Sequence, residues 1–69
     1  MLKKPLNVGD VFQLGKLVPS LIPNEEVEAM VVKVFGDTTI LEVSFCSVIL
    51  GNMVLTADNG EEKWAWITA

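Results

Sequence analysis

Apolar and polar positions alternate along most of this chain, and glycine, proline and asparagine interrupt the alternation at short intervals. That rhythm predicts short strands joined by turns, as in a small all-β domain. Asn7-Val8-Gly9-Asp10 reads as a turn and Val11-Phe12-Gln13-Leu14 as a first strand. Residues 15–26 hold Pro19 and Pro23, which cannot donate to a ladder and which restrict the residues before them, so this stretch reads as a long connection. It also carries Leu17, Val18, Leu21 and Ile22. A connection this apolar is expected to fold back over a barrel or to meet a partner.

Residues 27–45 give the clearest pattern. Gly36-Asp37 divides two apolar-rich runs, and glycine at the first central position suits a two-residue type II′ hairpin. That register pairs Phe35 with Thr38, Val34 with Thr39, Lys33 with Ile40 and Val32 with Leu41. One face then carries Met30, Val32, Val34, Thr39, Leu41, Val43 and Phe45, the expected core. The other carries Ala29, Val31, Lys33, Phe35, Ile40, Glu42 and Ser44. A helix over 24–35 competes: Val27, Met30, Val31 and Val34 recur at helical spacing, Asn24 could cap it, and Glu25, Glu26 and Glu28 suit its positive end. The crowding of Val31, Val32, Val34 and Phe35 favours the strand.

Gly51-Asn52 predicts a second hairpin, joining 47–50 to 53–57, and Asp58-Asn59-Gly60 a three-residue loop leading into 61–67. One face of this meander holds Val48, Leu50, Met53, Leu55, Ala65 and Ile67; the other holds Ile49, Val54, Trp64 and Trp66. Both are apolar. The expected fold is therefore all-β: a single domain over 1–69 forming a five- to six-stranded, strongly bent small barrel. It is SH3-like in strand spacing, with an OB-like barrel and an α+β form with a helix near 24–35 as alternatives.

Composition narrows the function classes. With 69 residues, the chain has room for one domain, which buries only about 60% of its unfolded surface and gains from a staple or a partner. One cysteine makes no internal disulfide, and one cysteine with no histidine makes no structural zinc site. No metal or cofactor motif is present, and the glycines match neither a phosphate loop nor a dinucleotide fingerprint. Cys46 and the hydroxyls lack a histidine base, so nucleophilic catalysis is not expected. Glu25, Glu26 and Glu28, and Glu61 with Glu62, read as solvated charge; Asp58-Asn59-Gly60-Glu61 is too short for a calcium loop.

The net charge is -4, with no arginine and with Lys3 and Lys4 taking two of the five lysines. That balance argues against nucleic acid, which needs clustered cations. No apolar run reaches the roughly 20 residues that span a bilayer, no signal-peptide pattern opens the chain, and a free thiol suits a cytoplasmic protein. Trp64 and Trp66 share a strand face, and tryptophan favours contact surfaces because it hides much area at small entropic cost. The expected partner-binding surface is Trp64, Trp66, Ile49 and Val54, with Leu21 and Ile22.

The function expected is a non-enzymatic protein-interaction module. It would act as a homo-oligomer or as a small acidic accessory or inhibitor protein, of the kind phages and mobile elements use. The alternative is a nucleic-acid-binding small barrel whose indoles stack bases, against which stand Glu61 and Glu62. A third reading is a small-molecule site formed only between subunits.

Overall fold

Among the described residues of the computed structural model, five strands follow one another: β1 (Val11–Gln13), β2 (Glu28–Phe35), β3 (Thr38–Phe45), β4 (Val48–Asp58) and β5 (Glu61–Trp66), with one helical turn, α1 (Leu14–Leu17), after β1. Residues 6–58 and 60–67 are described. Each strand pairs antiparallel with the next, giving the sheet order β1-β2-β3-β4-β5, and the sheet curls strongly into a half-barrel. The order of the described strands is a plain meander, not the Greek-key path of an OB-like barrel.

The entry into the sheet follows the expected turn chemistry. Asn7 N–H donates to Asp10 Oδ2 at 2.8 Å, and Asp10 N–H donates to the Asn7 carbonyl at 3.0 Å. Gly9 adopts φ +97°, so the turn closes through a residue without a Cβ. The turn is then tied to β2: Gly9 N–H donates to the Val31 carbonyl, and Val31 N–H donates to the Asp10 carbonyl.

The first connection departs from the expected irregular loop. Leu14, expected to close the strand, instead begins α1, fully buried, and its N–H donates to the Val27 carbonyl at 2.9 Å. Val18 and Ile22 pack against the same core. Residues 14–27 thus cover one face of the sheet. At Gly15, an added Cβ would collide with the Asn24 carbonyl and lie 2.8 Å from the Glu25 Cα. Glycine is required here because two backbone segments touch.

The helical alternative over 24–35 is not adopted. Glu26 N–H donates to Asn24 Oδ1 at 2.9 Å and Val27 N–H to the Asn24 carbonyl at 3.2 Å, so the cap chemistry is used for one turn. The chain then enters β2 at Glu28.

The first hairpin keeps its expected register only near its turn. Phe35 pairs with Thr38, Val34 with Thr39 and Lys33 with Ile40. Gly36 has φ +58° and Asp37 stays out of the left-handed region, as a type II′ turn requires. Beyond that, a bulge leaves Val32 unmatched, and Leu41 pairs with Val31. The bulge exchanges the faces of the first half of β2. Ala29 and Val31 are buried, while Met30, Val32 and Val34, expected in the core, are exposed. On β3 the expected residues Thr39, Leu41 and Val43 are buried, with Phe45 partly so.

The second turn lies elsewhere than expected. β4 runs unbroken through Gly51 and Asn52, and the reversal occurs at Cys46-Ser47, with φ +51° and +66°. Two left-handed central residues define a type I′ hairpin, which asparagine and glycine usually occupy. Gly51 marks a bulge instead: Val43 pairs with Gly51 and Ser44 with Ile49, leaving Leu50 unmatched. Asn52 bonds across the sheet, donating from Nδ2 to the Leu41 carbonyl at 3.3 Å.

Two outcomes follow. Gly15→Ala forces apart the 15 and 24–25 backbones and lowers stability by about 1–3 kcal/mol in urea unfolding. Ser47→Gly relieves a left-handed residue at an exposed site; the gain of about 1–2 kcal/mol exceeds the extra unfolded-state entropy of about 0.5–1 kcal/mol, so the unfolding midpoint rises. An unchanged or lower midpoint would show that the turn is not strained.

Candidate interaction surface

The described core is Leu14, Val27, Ala29, Val31, Leu41, Val43, Met53 and Leu55. These residues define the inner face of the sheet, and the position of each expected site residue follows from its register against them. Leu55 pairs with Trp64 and Met53 with Trp66, so both indoles lie on the inner face, as residues two apart on a strand must. Trp64 is half-buried against the core; Trp66 remains 42% exposed. Its ring covers Gly51, where an added Cβ would lie 3.4 Å from Cζ3.

The other expected residues do not join them. Val54 sits between Ile40 and Ala65, on the opposite face. Ile49 pairs with Ser44 beside the Cys46-Ser47 turn and is 60% exposed. Leu21 and Ile22 lie in the connection after α1, with Leu21 exposed and Ile22 half-buried against the core. The expected patch of Trp64, Trp66, Ile49 and Val54 is therefore split between two faces. The cause is one residue of register: Asp58 pairs with Glu61, where the three-residue loop would have set Val54 opposite Trp64. Asn59, part of that loop, lies outside the described residues.

A different set lies near one end of the sheet, distributed over both of its faces: Trp66 pairs with Met53 on the inner face, while Ile49 pairs with Ser44 and Ile67 lies opposite Asn52 on the outer one. Val48, Ile49 and Leu50 are consecutive and 62%, 60% and 53% exposed. Trp66 lies over the adjacent Gly51, and Ile67, also exposed, donates its N–H to the Asn52 carbonyl at 2.9 Å. The signal was present in the sequence: three consecutive apolar residues on one strand cannot all face inward. The outer face is also partly apolar, with exposed Val11 paired to exposed Met30. Lys33 Nζ lies 5.4 Å from the centroid of the Phe35 ring, a cation–π contact.

The polar chemistry is sparse. Cys46 is exposed at the hairpin tip, and Glu25, Glu26 and Glu28 are exposed around the start of β2. Among the described residues, no group of three or more His, Cys, Asp or Glu could hold a metal ion. Phe12, Gln13, Lys16 and Leu17 line a shallow groove of about 300 Å³. Among the described residues, no helix is long and apolar enough to cross a membrane.

No protein-family model matches the chain, and neither the curated proteins nor the solved structures contain a match to it.

The two indoles should separate on substitution. Trp64→Ala removes contacts with the core and lowers stability by about 2–3 kcal/mol, below the full-burial range. Trp66→Ala, at the solvent end of the same face, costs less than about 1.5 kcal/mol on the same basis. Equal losses in urea titrations would contradict the burial difference.

Proposed function

We propose that this protein is a non-enzymatic protein-interaction module that associates through the apolar end of its sheet. The observation that carries the reading is the exposure of Val48, Ile49, Leu50, Trp66 and Ile67 around that end, on both faces. Apolar side chains left in water at one end of so small a sheet mark a contact site when they are more than singly scattered. A small sheet with so few buried residues also gains stability from association. Both modes weighed from the sequence fit: self-association, or docking of a small acidic accessory or inhibitor protein on another protein. The net charge of -4 favours a neutral or cationic foreign partner over nucleic acid. Exposed, free Cys46 suits a reducing, cytoplasmic setting.

The test is the double variant Ile49→Asp, Leu50→Asp. Both side chains are exposed, so the melting temperature should move by only a few degrees. The wild-type chain should scatter light as a species heavier than its 7.5 kDa monomer, or co-elute with a protein partner; the variant should lose that association at least tenfold. A wild type that stays monomeric and partnerless, or a variant that associates equally well, would sink the proposal.

A further inference from the structure

We propose that two copies of this chain pair along β5, antiparallel and centred on Ala65, so that the sheet continues across a two-fold axis. The proposal rests on the interaction-module reading and names the partner and the contact. Among the described residues β5 is the last strand of the sheet. Its ladder with β4 fixes which backbone groups face outward. Ile67 N–H donates to the Asn52 carbonyl directly opposite, and Val54–Ala65 and Thr56–Lys63 continue the same alternation. The N–H and C=O groups of Trp64 and Trp66 therefore point away from β4, and no described residue takes them. An edge of this kind is a template for another strand.

The two edges of the sheet are unequal. β1 is only three residues long and turns at once into α1. β5 is six residues long, contains neither proline nor glycine, and ends in the uncharged run Trp64-Ala65-Trp66-Ile67. Its only charges, Glu61, Glu62 and Lys63, lie in its first half.

That asymmetry of charge selects a second copy and a register. Antiparallel pairing sends the two charged halves to opposite ends of the seam. Centred on Ala65, it sets Trp64 opposite the partner's Trp66, twice, using the outward backbone groups of all four residues. Cross-strand aromatic pairs are among the favourable ones. Lys63 then faces the partner's Ile67. Centring on Lys63 would oppose two ammonium groups, and centring on Trp64 would set Trp66 against the partner's Glu62. The seam takes in Trp66 and Ile67, both exposed.

The experiment uses the full chain with Cys46→Ser to remove the native thiol. Ala65→Cys and Lys63→Cys are introduced separately and oxidised at low micromolar concentration. At the two-fold axis, Ala65 meets its own copy in a non-hydrogen-bonded pair, whose Cα separation of about 4.5 Å allows a disulfide. Ala65→Cys should cross-link into a dimer at least tenfold more completely than Lys63→Cys. Amide exchange at Trp64 and Trp66 in the wild-type chain should slow as concentration rises. Cross-linking at Lys63 instead, or slow exchange at those amides in a monomer, would overturn the proposal. An association that the Ile49→Asp, Leu50→Asp variant abolishes, with no Ala65 cross-link and fast exchange at Trp64 and Trp66, would overturn the β5 seam and leave the module reading intact.

Discussion

The row Val31, Leu41, Met53 and Trp66 runs side by side across β2, β3, β4 and β5. Val31, Leu41 and Met53 are fully buried, and the row is the axis on which the inner face is built. A strand shows alternate residues to alternate sides, so a slip of one residue exchanges everything the strand offers to the core. The bulges at Val32 and Leu50 and the short Asp58–Glu61 connection hold this row in line. Residues 14–27 lie over the same face, sending in Leu14 and Val27.

The outer face and the ends of the strands follow from this constraint. More than half the residues are hydrophobic, and one small inner face cannot accommodate them. The connection that could have covered a second apolar face is already spent on the first. The surplus therefore stays in water: Val11 and Met30 on the outer face, and Val48, Ile49 and Leu50 at the end near Trp66. Contact with another chain, as proposed above, would take such a surplus out of water.

Much of the fold was legible in the sequence. The all-β class, the Asn7–Asp10 turn, the Gly36-Asp37 hairpin and the burial of Thr39, Leu41 and Val43 came from alternation and glycine placement. What escaped depended on tertiary demands that leave little local trace. Cys46 and Ser47 are not residues that announce a left-handed turn, and the Gly51-Asn52 pair that does announce one serves a bulge and makes room for an indole. The Val32 bulge has no signature in a run of β-branched residues. The expected site suffered accordingly: the surplus of apolar surface was readable, but its location turned on a register that is one residue different. Ile49 and Trp66 remain in the exposed end group, whereas Trp64 belongs with the core and Val54 with the far face.

The unmatched residue at Val32 also bears on how such a chain can change length. Its neighbours Val31 and Lys33 face Leu41 and Ile40, which are themselves consecutive. Excising residue 32 would leave an uninterrupted ladder with every inward side chain still inward. Loss of a residue elsewhere in β2 would turn part of the strand over. The bulge behaves as an insertion already absorbed, so the architecture has a built-in place where the reading of the strand can gain or lose one position without exchanging inside for outside.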